Sequence, residues 1–319
     1  MRDHPEIGAR GVAIVGTGLV GVGWAIVFAR AGLAVRVHDH DVGRLHSVPG
    51  LMRGSLDDLQ AAGLIADPET VMARVTFHAD LIEAIEDVDY IQESVLERLD
   101  VKRKLYERLD AVLAPHTLVG SSSSGIPSSA FTKGLSIAPN CLVAHPVNPP
   151  YLARIVELVP ADWTHPTAVD NVYNLMVRVD QHPIRVTREL EGFVLNRLQG
   201  ALLREAWALY DGGYCSLADL DATISEGLGL RWSFMGPFET IDLNAPGGIR
   251  DYAERLGGLY HSVAQERTDP KPWSPDLIAR VEVERRQTLP ADQLVDRGAW
   301  RDRRLMALAA HKRSVSDET

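Results

Sequence analysis

Short apolar runs punctuate the first half of the chain, and between most of them apolar positions recur at three- and four-residue spacing. The runs are GVAIVG (11–16), LAVRVHD (33–39), ARVTF (73–77), VDYIQES (88–94), TLVGSS (117–122), NCLVAHP (140–146) and RIVELV (154–159). Apolar runs bounded by turn residues read as strands covered on both faces, whereas WAIVFARAG (24–32) continues as a helix closed by Gly32. Strand alternating with helix predicts an α/β fold built on a doubly wound, mostly parallel sheet. Between 41 and 65 the helical pattern meets Pro49 and Gly50, which predicts a break there. After HPIRVTRELEG (182–192) the character changes. FVLNRLQGALLREAWALYDGG (193–213) has helical periodicity, SLADLDATISEGLG (216–229) opens on a serine cap, and no convincing strand follows. The expected division is an α/β domain over 1–190 and an all-α C-terminal domain over 191–319, with a frayed polar end, HKRSVSDET.

Composition narrows the function. A 319-residue chain with 45% hydrophobic and 24% charged residues is an ordinary folded protein. A formal net charge of -10 argues against nucleic acid or an anionic membrane as a principal partner. Cys141 and Cys215 are too few for a disulfide framework and suit a reducing compartment. The start, MRDHPEIGARG, lacks a signal-peptide layout, and no run approaches the roughly 18 apolar residues of a membrane span, so a cytoplasmic protein is expected.

Gly16-Thr17-Gly18-Leu19-Val20-Gly21 follows an apolar strand and opens a helix, and Asp39 ends the next strand. Gly16 permits a tight turn, Gly18 lets backbone N–H groups approach a pyrophosphate, and Gly21 allows the helix to pack closely on the sheet. This is the layout of a Rossmann-like dinucleotide site, the phosphates at the positive end of the helix and the acid on the ribose. Asp39, followed by His40 and Asp41, repels the extra phosphate of NADP, so NAD is the expected cofactor.

A second constellation lies in LVAHPVNPPYLARIVELVP (142–160). A carboxylate inside IVELV is costly to bury unpaired, and the nearest titratable partner is His145. His145 follows a sheet strand, at the edge where doubly wound sheets bind ligands, and suits the proton acceptor that removal of hydride from an alcohol requires. If Glu157 bonds the far imidazole nitrogen, it fixes the tautomer and stabilises the imidazolium.

GSSSSG (120–125), AHPVNPPY, VELV, EGFVLNRL (191–198) and MGPFETIDLNAPGG (235–248), in this order and spacing, resemble the 3-hydroxyacyl-CoA dehydrogenase superfamily. AHPVNPPY, GFVLNRLQ, SEGLGLR and GPFETIDLNA are similar to its lambda-crystallin, L-gulonate 3-dehydrogenase branch. The resemblance implies that Ser124, His145, Glu157 and Asn196 are the active-site serine, base, supporting acid and asparagine, with Ser124 and Asn196 hydrogen-bonding the reacting oxygen. It places Glu97 and Lys102 at the nicotinamide ribose, with Ser122 beside them, and implies a homodimer formed through the helical domain.

Two departures from acyl-CoA members bear on substrate. GLGLRWSFMGPF (227–238) lengthens a glycine-rich turn and brings in Arg231, which is suited to grip a carboxylate bidentately or else is a surface residue of a longer loop. Pro49 and Gly50 interrupt the arm where those members bind the nucleotide tail. The expected activity is NAD-dependent oxidation of the 3-hydroxyl of a small hydroxy acid, L-gulonate or a close relative. The alternatives are a short-chain 3-hydroxyacyl-CoA or L-carnitine dehydrogenase, and a non-catalytic crystallin-like structural protein.

Overall fold

The computed structural model describes residues 11–316. The expectations for residues 1–10 and for the last three residues lie outside the described residues. A single eight-stranded sheet has the order β3-β2-β1-β4-β5-β6-β7-β8. Its strands are β1 (Val12–Val15), β2 (Val35–His38), β3 (Val75–His78), β4 (Tyr90–Glu93), β5 (Leu118–Ser121), β6 (Cys141–Pro146), β7 (Ile155–Pro160) and β8 (His182–Arg185). All neighbours are parallel except β6 and β7.

Side-chain alternation along β1 shows why the strands read as unbroken apolar runs. Val12 and Ile14 pack on one face with Trp24 and Phe28 of the helix Leu19–Arg30, while Ala13 and Val15 pack on the other with Tyr106 and Leu109 of the helix Leu99–Asp110. Both faces are covered, so no position on the strand is left for a polar residue.

Three elements differ from expectation. The helix Val42–Ala61 runs unbroken through Pro49. Its buried Leu45, Val48, Met52, Leu56 and Leu59 form a continuous stripe on the core, and that burial outweighs the roughly 3 kcal/mol an interior proline costs. β8 was not expected, because it is a four-residue edge strand carrying Pro183, and such a strand forms only where a neighbour supplies its partner. At the C-terminus, the helix Leu294–Ser316 continues through most of HKRSVSDET instead of fraying.

Two compact units are present: residues up to Arg197 together with those from Arg297 onward, and Leu198–Asp296. Met306, 2% exposed, sits in the core of the first unit. The second unit is helical. Ser216 caps the helix Leu217–Ala222 as its sequence foretells, its hydroxyl accepting from Asp219 N at 3.2 Å. The stretch around Arg231 is no open loop: a π-helical segment, Thr223–Leu228, leads directly into the turn Gly229–Trp232. Helical backbone continues through Gly227 and Gly229 because its hydrogen bonds re-register by one residue, as at a π-bulge.

Candidate active site

The glycine-rich turn fits a dinucleotide. Gly16 has φ +103°, and a Cβ there would lie 2.5 Å from the Ser94 carbonyl oxygen, so no other residue sits in this turn without displacing β4. At Gly21 a Cβ would overlap the Gly16 carbonyl oxygen. At Gly18, the residue preceding the helix Leu19–Arg30, a Cβ would meet nothing within 4 Å. The two flanking glycines thus serve close packing, and the middle one leaves open space in front of the helix's free N–H groups, a setting with the chemistry to accept an anion such as a pyrophosphate.

Asp39 is 5% exposed and tied to the same turn. Its Oδ2 accepts from the Thr17 backbone N at 2.8 Å and the Thr17 hydroxyl at 2.7 Å, and its Oδ1 accepts from Asp41 N at 2.9 Å. Burial pushes the carboxyl up, but the bonds from Asp41 and Thr17 outweigh it and hold Asp39 below its ordinary range. It stays ionised at neutral pH, with three of its roughly four acceptor positions taken and one on Oδ1 left over. Its second task, holding the turn through Thr17, was not legible in the spacing of the glycines.

His145 and Glu157 stand directly opposite each other in the antiparallel β6–β7 ladder. His145 Nδ1 lies 2.7 Å from Glu157 Oε2, with the residues 6% and 1% exposed. A carboxylate only accepts, so Nδ1 carries the proton and Nε2 keeps its lone pair in the neutral ring. The other carboxylate oxygen accepts from Val194 N at 2.7 Å and Leu195 N at 2.9 Å, at the start of the helix Leu195–Asp211. Burial raises the Glu157 carboxyl, yet the bonds from His145, Leu195 and Val194 more than offset this and hold it below its ordinary value. The positive end of the helix acts in the same direction. Phe193, buried and at φ +48°, packs its ring 5.8 Å from the imidazole after Gly192 at φ +74°. The two backbone donors and Phe193 were missed in the sequence, where a glycine just before a helical run was the only signal of a tight turn.

Ser124 and Asn196 are brought together: Asn196 Nδ2 donates to the Ser124 carbonyl oxygen at 2.7 Å. Because Asn196 directly follows the residues that bond Glu157, the start of one helix links the serine loop to the His145–Glu157 pair. Glu97 is the keystone of that loop. Its carboxylate accepts from the hydroxyls of Ser123 and Ser124 and from the backbone N of Ser124 and Gly125, the backbone bonds at 2.8 and 2.7 Å. Ser122 bonds Gln92 Nε2 and Ser94 Oγ, each at 2.8 Å, tying the loop to the strand beside the glycine turn.

Lys102, expected at the nicotinamide ribose, is instead 1% exposed, its Nζ 2.8 and 2.7 Å from the two oxygens of the fully buried Glu93. Burying an ammonium demands such a partner, so this lysine is committed beneath the serine loop and away from the surface. Glu97 is likewise engaged with the loop rather than part of a solvated helix face. Arg231 is exposed and belongs to the second unit. Among the described residues no cluster of His, Cys, Asp and Glu could hold a metal ion, and no helix is long and apolar enough to cross a membrane.

Comparison with known proteins shows the family. Residues 11–190 match the NAD binding domain of 3-hydroxyacyl-CoA dehydrogenase, and residues 192–288 match its C-terminal domain. The chain is 40% identical over 310 residues to a lambda-crystallin homolog of Bos taurus, covering 96% of each chain. It is 37% identical over 249 residues to an L-carnitine dehydrogenase of Streptomyces griseus, covering 78% of this chain and 74% of the relative. A solved structure, an NAD+-dependent dismutase described as 5-formyl-3-hydroxy-2-methylpyridine 4-carboxylic acid 5-dehydrogenase, superposes with a TM-score of 0.82 at 25% identity, over 94% of this chain and 97% of that one.

Proposed function

The chain belongs to the 3-hydroxyacyl-CoA dehydrogenase family and is an NAD-dependent oxidoreductase acting on CH–OH groups, and from that premise we propose that it oxidises the 3-hydroxyl of a small free hydroxy acid, L-gulonate or a close relative, to the 3-oxo acid. The observation that carries this reading is the cross-strand pair of His145 and Glu157, locked by the 2.7 Å bond at Nδ1 and by two backbone donors on the other carboxylate oxygen. When bound, NAD supplies the acceptor for the hydrogen that leaves the alcohol carbon with its electron pair. His145 Nε2 takes the hydroxyl proton, and Glu157, held ionised, stabilises the imidazolium that results. Ser124 and Asn196 orient the reacting oxygen. Gly16, Gly18 and Gly21 hold the pyrophosphate, and Asp39 accepts from the adenosine ribose.

A free acid is the favoured substrate because Arg231 offers a bidentate partner for a carboxylate, which a thioester lacks. The L-carnitine dehydrogenase among the relatives acts on a hydroxy acid by its name. The thioester reading gains from two findings: the helix Val42–Ala61 is unbroken, so Pro49 no longer argues against an acyl-CoA arm, and a relative named 3-hydroxyacyl-CoA dehydrogenase is 36% identical over 318 residues.

A screen of NADH formation over L-gulonate, L-carnitine, 3-hydroxybutyrate and 3-hydroxybutyryl-CoA separates these readings. The expected result is the highest kcat/KM on a free acid, with Arg231→Met raising KM for that acid by roughly ten- to a hundred-fold through loss of a charge-assisted pair. Highest activity on the thioester, or an unchanged KM in the variant, overturns the free-acid assignment.

The helical unit also supports a homodimer. Leu198, Phe234, Phe238, Leu243, Leu259 and Tyr260 are each more than half exposed in the single chain, large apolar side chains that a partner subunit would take out of water. Light scattering on a sizing column is expected to give twice the chain mass, and a monomer at micromolar concentration would sink the proposal.

A further inference from the structure

A glutamine stands in the middle of β4, a strand whose four residues are all buried. Gln92 is fully buried, and an amide taken out of water needs partners for both of its N–H hydrogens and for its oxygen. All three are supplied. Nε2 donates to the Ala144 carbonyl oxygen at 3.2 Å and to Ser122 Oγ at 2.8 Å, while Oε1 accepts from the Tyr90 hydroxyl. A carbonyl only accepts, so the Ala144 bond fixes which end of the amide faces β6 and leaves Tyr90 as the donor to the other end. Burial pushes the Tyr90 phenol well above its ordinary range, so that donor keeps its proton.

The sheet is shaped for this reach. Gln92 lies beside Gly120 of β5, and Gly120 in turn lies beside Leu142 of β6. A Cβ at Gly120 would lie 2.0 Å from the Tyr90 hydroxyl oxygen and 2.9 Å from Ala144 Cβ, so only glycine lets side chains of β4 cross over β5 to β6. The register of β5 with β6 ends at Ser121 and Val143, and beyond it the chain leaves β5 as the serine loop. Gln92 bridges the place where the two part. One of its hydrogens goes to the residue before His145, the other to the loop two residues before Ser124. Asn196 joins that loop to the catalytic pair from the Glu157 side. All these residues belong to the first unit.

We propose that Gln92 is a positioning residue for the dehydrogenase reaction, its amide setting the separation between the strand that carries His145 and the loop that carries Ser124. The two hydrogens of a planar amide have a fixed angle between them, so two segments bonded to one amide cannot drift independently. The proposal rests on the reading of His145 as the base and Ser124 as an orienting group. It does not depend on whether the substrate is a free acid or a thioester.

Gln92→Met is the first test, because methionine has a similar volume and no donor. Its melting temperature should fall, since the Ala144 carbonyl and the Tyr90 hydroxyl lose a partner inside the sheet. Adding Tyr90→Phe removes one of those orphans and should return part of the loss. Turnover should not return with it: in both variants kcat on L-gulonate or 3-hydroxybutyryl-CoA, whichever the parent oxidises, should stay about ten- to a hundred-fold down with KM little changed, the scale of a misplaced catalytic group. The primary deuterium isotope effect on kcat should rise as hydride transfer becomes limiting. Hydrogen–deuterium exchange without substrate should quicken in 120–126 and 141–147 and stay at the parent's rate in β2 and β3. The proposal is overturned if the double variant has the parent's kcat, or if those two segments exchange as in the parent. A parent inactive on both compounds would overturn the reading of the function instead, and the exchange rates would still decide whether Gln92 holds the two segments together.

Discussion

His145→Gln is expected to lower kcat by about 10² or more while NADH binds with nearly unchanged affinity. Glutamine fills the space and keeps a polar group facing Glu157, but no group with an accessible proton affinity remains at the position of Nε2. The dinucleotide turn is built from β1, β2 and the helix Leu19–Arg30, whereas the hydrogen bond that holds the imidazole comes from β7 and its ring neighbour is Phe193, which explains the separation of the two effects. A variant with undiminished turnover would place the base elsewhere. Glu157→Gln should cost less turnover and displace the pH profile, because the amide keeps an acceptor for Val194 and Leu195 but removes the charge that supports the imidazolium. The sign of the stability effect follows from the lowered carboxyl. Glu157 contributes stability above the unfolded carboxylate range, and that contribution is lost as pH falls through its folded value. Urea unfolding should therefore separate the parent from Glu157→Gln near neutral pH, with the gap closing in acid.

Gly21→Val should abolish measurable NADH binding, a loss of roughly 10² or more, and lower the melting temperature. A Cβ at Gly21 would occupy the space of the Gly16 carbonyl oxygen, and neither group can yield: Gly16 is pinned against Ser94, and the helix is packed through Trp24 and Phe28. The helix must back away from β1, and the open space at Gly18 loses its shape. Gly18→Ala is the control. Its methyl enters space that is empty in the free protein, so the fold should survive at the parent's melting temperature while binding weakens. A Gly21 variant that binds NADH normally would remove the dinucleotide from this turn.

Sequence alone determined the alternating α/β layout, the glycine turn with its acid, and the partnership of His145 with Glu157. Each of these rests on local chemistry. Strands covered on both faces must be apolar throughout, a turn that brings backbone to backbone admits only glycine, and a carboxylate in an apolar strand needs a charged neighbour. What the sequence misread depended on neighbours distant in the chain. Pro49 reads as a helix breaker until the stripe from Leu45 to Leu59 is seen to be buried on the core, and HPIR reads as loop until β7 lies alongside it. Lys102 has the spacing of an exposed helical residue, and only packing against β4 and β5 places Glu93 and Ser121 around its ammonium. The backbone N–H groups of Val194 and Leu195 carry no side-chain signature at all. Their bonds to Glu157 exist because the chain turns at Gly192 and Phe193 and aims the start of a helix at β7, a direction fixed by tertiary packing and by no local preference.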